Sequence, residues 1–289
     1  MSDSRRKLTV RNLIIFIVVA IAIGWVGLWL NRMLAAEAPG QNLGMLLWLV
    51  VPALTGVLLR AVAGDGWADA GLRPALKKNL GWYGFALLIY PASIALVLGL
   101  GYVTGAVSLA RLASLGAGTF AGLVGVALLA DFVKNLFEEF AWRGYLTPRL
   151  DSLGWGVGAS SVLVGVIWGA WHAPYWIGFL ALADFEAYTS LNLAVFVPLA
   201  FVAFIPAAFA FGELRRVTGS VWPTVVMHTM GNAIILTLLL NRLIEFRSGL
   251  ASALFTPGME GLLIIALWIA IGVGIYGKRK RTGGRNDER

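Results

Sequence analysis

The chain has 289 residues, of which 59% are hydrophobic and only 13% charged, with a formal net charge of +8. Soluble domains carry roughly 25% charged residues, so this composition excludes a soluble domain and indicates a polytopic membrane protein in a lipid bilayer. There is no cysteine and there are two histidines, which excludes disulfides, thiolate metal sites and a cysteine nucleophile.

Met1 to Asn12 forms a short basic segment carrying Arg5, Arg6, Lys7 and Arg11. The uncharged run from Leu13 to Leu30 follows. It is longer than the core of a cleavable signal peptide, about 7–15 residues, and reads as a first spanning helix. Similar runs recur at 43–59, 81–103, 116–141, 156–180, 192–212, 220–240 and 259–277. Each is near the roughly 20 residues needed to cross the hydrocarbon. The predicted fold is an all-α, polytopic transmembrane helical bundle of about eight helices, with one transmembrane domain over 13–277. The loop Asp65 to Asn79 is expected to hold a short surface helix, and Gly154, Gly156 and Gly158 a turn. The basic tail 278–289 is expected to be disordered and to lean on anionic lipid.

Basic residues sit in loops between apolar runs, which points to topology rather than nucleic acid. With a cytoplasmic N-terminus, that side receives Arg5, Arg6, Lys7, Arg11, Arg60, Arg73, Lys77, Lys78, Arg143, Arg149, Arg215, Arg216 and the six basic residues from Lys278 onward. The other side receives Arg32, Arg111, Arg242 and Arg247, and Lys134 stays inside a helix. Eighteen against four is a strong positive-inside asymmetry, so both termini are predicted to be cytoplasmic. The fourth helix then runs inward, placing Glu138 and Glu139 near its cytoplasmic end.

Those carboxylates lie in Phe137-Glu138-Glu139-Phe140-Ala141-Trp142-Arg143. A charge at membrane depth costs on the order of 2.5–3.5 kcal/mol on insertion scales. Glu139 and Arg143 are four apart and can pair on one helical face. Glu138 points roughly 100° away, which leaves it unpaired unless Lys134, one turn earlier, neutralises it. The fifth run contains Trp168 and His172, and the seventh contains His228 and Asn232, each pair again at i,i+4. Three helices thus supply two carboxylates, two imidazoles, a carboxamide and a guanidinium, enough for an acid–base site. Taken singly, each has a structural reading: an ion pair for Glu139 and Arg143, an interhelical hydrogen bond for a histidine or Asn232. Both histidines of the chain buried for packing alone would be an expensive arrangement.

Together the motifs Glu138-Glu139-x-x-x-Arg143, Trp168-x-x-x-His172 and His228-x-x-x-Asn232 resemble those of the CPBP family. These are the type II CAAX prenyl endopeptidases and their bacterial Abi-type relatives, immunity proteins among them. Thr218-Gly219-Ser220-Val221-Trp222-Pro223 and Gly71-Leu72-Arg73-Pro74 also resemble family segments, and the similar core spans 116–240. The family's second motif usually has Phe where this chain has Trp168. The resemblance implies an intramembrane endopeptidase of the cell membrane, with Glu138 and His172 activating water and His228 and Asn232 stabilising the oxyanion. It implies bracing by Glu139 and Arg143, a membrane-associated protein or peptide substrate of the prenylated CAAX type or another, and a site open to the cytoplasm. Glu138, His172 and His228 could hold zinc with one open position, or work without metal.

Three rivals remain at this point. Ser160, in Gly158-Ala159-Ser160-Ser161, resembles a serine-protease nucleophile segment but sits where serine commonly caps or packs a helix. A proton-relay transporter would use Glu138, His172 and His228, yet the sequence lacks repeat symmetry. A non-catalytic immunity or scaffold protein would keep the same cluster for folding.

Overall fold

Eight helices of the described residues are long and apolar enough to cross a membrane. A computed structural model describes residues 1–34 and 42–284. In order these are α1 (Asp3–Met33), α2 (Leu43–Ala61), α3 (Leu76–Val103), β1 (Val107–Ser108), α4 (Ala110–Leu115) and α5 (Ala117–Glu139). After α5 the path continues through wide turns over Phe140–Leu146 into α6 (Thr147–Ser152). Then come α7 (Val157–Pro174) with wide turns over Tyr175–Phe179, α8 (Leu182–Tyr188), α9 (Leu193–Thr218) and α10 (Trp222–Leu240). Last are β2 (Glu245–Phe246), α11 (Gly249–Phe255) and α12 (Leu262–Gly284). The all-α bundle expected from the sequence is present. Its two strands are one short antiparallel pair, Val107 beside Phe246 and Ser108 beside Glu245.

Boundaries differ where charge misled the sequence reading. The first helix begins at Asp3 rather than Leu13, because the basic N-terminal segment simply extends it. The last continues through the start of the basic tail to Gly284, and 285–289 lie outside the described residues. No helix forms over residues 65–74, which run as turns and extended chain. The fourth span is a continuous helical path over Ala117–Ser152, so Glu138 and Glu139 are interior to it and not at its end.

Prolines decide several contacts between helices. A proline donates no hydrogen bond to the carbonyl four residues back. Pro52 therefore frees the carbonyl of Trp48, which accepts from Trp171 Nε1 at 3.0 Å. At Pro174 the next amide, Tyr175, turns to the His172 carbonyl, and the Trp171 carbonyl accepts from Trp48 Nε1 at 2.7 Å. The two indoles stack at 4.0 Å. This reciprocal pair clamps α2 to α7 one residue from His172.

The end of the bundle that carries the start of α1 holds a largely buried polar network around the half-exposed Asp69. Pro148 leaves the Gly144 carbonyl free, and Arg60 Nη2 donates to it at 2.5 Å. Arg60 also pairs with Asp69 at 2.7 Å, and Arg149 pairs with Asp69 as well. Asp65 accepts from Tyr145 Oη at 2.6 Å and from Asn12 Nδ2 at 3.1 Å. Arg215 donates to the Arg143 carbonyl at 3.1 Å and the Asp69 carbonyl at 2.6 Å. Gly71 has φ +71°, and a Cβ there would collide with the Arg215 guanidinium, so the strap needs glycine twice over. The strap then meets the start of α10, where Val221 N–H donates to the Gly71 carbonyl at 3.0 Å and Trp222 Nε1 to the Leu72 carbonyl at 2.7 Å.

At the opposite end, between α11 and α12, Glu260 is 2% exposed, with Thr189 beside its carboxyl. Burial pushes its carboxyl from 4.5 up to about 7. The folded state therefore holds this proton more tightly than the unfolded chain. The group's stabilising contribution is complete below about pH 4.5 and is lost as pH rises through about 7. A shift of this size corresponds to about 3 kcal/mol. The melting temperature in detergent is expected to fall between about pH 5 and pH 8, with much of that fall removed by Glu260→Gln. A slope unchanged in the variant would assign the dependence to other groups.

Candidate active site

On α5 the spacing of Asp131, Lys134, Asn135 and Glu138 is three, one and three residues, which puts them on adjoining faces of one helical side. Opposite them α7 presents Trp168 and His172, and α10 presents His228 and Asn232. α10 packs against both α5 and α3, and α7 against α9, so these side chains converge in the bundle interior. Gly231, between His228 and Asn232, admits the Tyr90 ring of α3, which would lie 2.6 Å from a Cβ.

A cavity of about 210 Å³ lies there. Its wall includes Tyr90, Asp131, Lys134, Trp168, His172, Tyr175, His228 and Asn232, with Met45, Trp48, Leu236, Leu240 and Met259 toward its mouth. Of the residues singled out from the sequence, Trp168, His172, His228 and Asn232 face this cavity. Glu138 has a fully buried side chain and stands behind the wall.

Glu138 is not unpaired. Lys134 Nζ lies 2.9 Å from its Oε1, and Trp168 Nε1 donates to its Oε2 at 3.2 Å. Arg143 turns away from Glu138, as the helical geometry requires, and the neighbour one turn earlier takes it instead. Trp168 also joins Glu138 to His172. The His172 Nδ1–H donates to the Trp168 carbonyl at 2.9 Å. A carbonyl can only accept, so this bond places the proton on Nδ1 and the lone pair on Nε2. The imidazole stacks on Trp176 and Phe204, with centroids 5.4 and 4.7 Å away, which fixes its plane.

Glu139 pairs with Arg143, at 2.9 Å with both side chains fully buried. The same Oε1 accepts from His228 Nδ1 at 2.9 Å. Arg143 is held face-on between Trp168 and Phe211, with Cζ 4.1 and 4.6 Å from the ring centroids. This is the braced geometry that a planar guanidinium suits and an ammonium does not. Asn232 Nδ2 donates to Asn135 Oδ1 at 3.0 Å, leaving its second N–H beside the cavity.

The wide turns over Phe140–Leu146 follow directly on these carboxylates. Thr147 N–H reaches back five residues to the Trp142 carbonyl, so the Arg143 carbonyl is left for Arg215. Wide turns of this kind often mark functional sites.

Asp131, Asn135 and Tyr90 escaped the sequence reading. The first two lie on the Glu138 stripe at helical spacing, a signal present in the sequence. Tyr90 gave none, because it belongs to a helix without motif. Ser160 is buried and accepts from Arg216 Nη2 at 3.1 Å. His172 stands about three turns along the same helix, out of reach of Ser160, which belongs to the polar contacts around Arg216.

The side chains suggested for zinc do not form a ligand set. No three His, Asp or Glu among the described residues converge in metal-binding geometry. Glu138 carries an ammonium on one oxygen and an indole N–H on the other, and a divalent cation would have to displace both.

The cavity runs from mid-bundle toward the connections after α7 and α10, marked by Leu180, Tyr188, Leu240 and Met259, at the end opposite the start of α1 and the described end of α12.

Residues 120–234 match the family model of the type II CAAX prenyl endopeptidase, Rce1-like. The matched span contains Glu138, Glu139, Arg143, Trp168, His172, His228 and Asn232, and it supports the CAAX-protease family to which the motifs pointed. No curated protein matches the chain.

Proposed function

We propose that this chain, whose core matches the CAAX-protease family over 120–234, is an intramembrane endopeptidase that hydrolyses a peptide bond of a membrane-associated protein or peptide. The observation that carries the reading is the convergence of His172, His228 and Asn232 on one cavity wall, with Glu138 tied to His172 through Trp168. Water is activated by Glu138 together with His172, whose Nε2 accepts the proton. Lys134 moves its ammonium from Glu138 to Asp131, one turn back, as the substrate arrives. The hydroxyl adds to the scissile carbonyl, and the resulting O⁻ takes hydrogen bonds from Asn232 and from His228, which donates there only with a proton on Nε2 in addition to the Nδ1–H that Glu139 accepts. Collapse expels the amine, which recovers the proton from the imidazolium. Glu139 and Arg143 keep His228 in place, and Trp168 keeps Glu138 and His172 in register.

One observation favours a second reading. The Lys134–Glu138 pair covers the base, as a non-catalytic scaffold of the same family would have it. Cleavage of fluorogenic peptides, prenylated and unprenylated, by the purified protein in detergent separates the two. Wild type is expected to cleave, and His172→Ala to lose about 10²–10⁴-fold in rate while still eluting as a folded protein in detergent. A chelator arm reads whether a divalent ion takes part. Wild type and His172→Ala equally inert on every peptide would favour the scaffold.

A further inference from the structure

We infer that Tyr90 of α3 is a further oxyanion donor: its hydroxyl stands beside Asn232 and bonds the O⁻ while His228 is neutral. The inference rests on the endopeptidase reading and adds to it a residue from outside both the motifs and the matched span 120–234.

The donors of the α10 wall fall short by one. Asn232 has two N–H groups, and one is spent on Asn135 Oδ1 at 3.0 Å. His228 gives its Nδ1–H to Glu139 at 2.9 Å, so the neutral imidazole presents only a lone pair at Nε2. Across the cavity, the Trp168 N–H and the Lys134 ammonium are both taken by Glu138, at 3.2 and 2.9 Å. An oxyanion forming at this wall would meet the second N–H of Asn232 alone, whereas such sites work through several pre-aimed N–H or O–H groups.

Tyr90 stands where the missing donor is needed. A Cβ at Gly231 would lie 2.6 Å from its Cζ, the ring carbon that bears the hydroxyl, and 2.7 and 2.8 Å from Cε1 and Cε2. The hydroxyl end of the ring is thus what rests on α10, in the one-turn interval between His228 and Asn232. Only glycine admits so close an approach. Tyr90 lines the cavity, is 5% exposed and is held against Trp268 of α12 with 4.7 Å between ring centroids. A buried tyrosine usually finds a partner for its O–H. The Tyr90 hydroxyl has none among the described residues, so its O–H is free to turn to a ligand. The other two phenols of the wall pack elsewhere: Tyr175 stacks on Trp48 at 5.2 Å, and Tyr188 lies edge-on to Phe196 at 5.9 Å. In the step itself Tyr90 keeps its proton. As water adds, the carbonyl π pair moves onto oxygen and accepts from the Tyr90 O–H and the Asn232 N–H. Collapse returns the pair and releases both donors.

Tyr90→Phe tests this, because it removes the oxygen and keeps the ring that Trp268 and Gly231 hold. Two probes meet the purified protein in detergent: a fluorogenic prenylated peptide, and the same peptide with a phosphinate in place of the scissile amide. The tetrahedral phosphorus bears an O⁻ and is bound by the groups that bind the transition state. Tyr90→Phe is expected to lower kcat by about 10²–10³-fold, the worth of one oxyanion donor, at unchanged KM and with the elution profile of wild type. Affinity for the phosphinate should fall, and affinity for the amide peptide should not. Wild-type kcat and phosphinate affinity in Tyr90→Phe overturn the inference and leave the endopeptidase reading standing. A variant that loses phosphinate and amide binding alike also overturns it, since that is the mark of a structural role. If wild type binds the phosphinate through Tyr90 yet cleaves nothing, the endopeptidase reading alone fails. A wild type that neither cleaves the peptide nor binds the phosphinate overturns both.

Discussion

Replacing Glu138 with Gln is expected to lower kcat/KM for peptide cleavage by about 10²–10⁴-fold, the usual worth of a general base, with the protein still folded. In free energy this is roughly 3–5 kcal/mol of transition-state stabilisation. The isostere keeps the carbonyl oxygen that accepts from Trp168 Nε1, so the Glu138–Trp168–His172 chain retains its shape. What is lost is the charge that attracts a proton from water. Lys134 is not stranded by the change, because Asp131 is close enough to interact with it electrostatically. Fold and catalysis therefore separate in this variant, which makes it decisive. Melting temperature and elution profile in detergent should follow wild type while turnover disappears. Full activity in Glu138→Gln would show that His172 alone activates the water, or that the site is elsewhere.

The spans of the bundle, and Trp168, His172, His228 and Asn232 among the cavity residues, were legible in the sequence because both depend on local rules. Eight apolar runs of bilayer length give eight helices, and i,i+4 spacing gives Glu139 with Arg143. The state of Glu138 was half legible. The same spacing rule that paired Glu139 forward pairs Glu138 backward with Lys134, and only packing decides whether that lysine turns toward it or toward water. The direction of the cavity was not legible. It depends on which end of the helices splay, and that is set by carbonyls freed at Pro148 and by a strap threaded under Arg215. Neither contact follows from hydropathy. The extension of the fourth span past the carboxylates was hidden in the same way, since Arg143 and Arg149 look like the start of a loop until their partners Glu139 and Asp65 are in place.

Replacing Arg143 with Met should destabilise the fold by roughly 3–5 kcal/mol, the penalty for removing one partner of a buried ion pair. Both side chains are 0% exposed, so no water can compensate Glu139. The guanidinium also fills the slot between Trp168 and Phe211 at 4.1 and 4.6 Å, which Met fills less completely. His228 Nδ1 remains on Glu139 and would be pulled toward the uncompensated carboxylate, away from its position beside the cavity. Activity should therefore fall together with the melting temperature, unlike in Glu138→Gln. Adding Glu139→Gln to Arg143→Met removes the stranded charge and should restore much of the stability, because replacing a whole buried pair by neutral groups is often close to neutral. It should not restore activity, since the carboxamide introduced beside His228 would hold the imidazole only as a neutral acceptor. A single variant as stable as wild type would mean that Glu139 takes up a proton and that the pair is not what braces His228. A double variant no more stable than the single would put the loss in packing against the two rings instead of in charge.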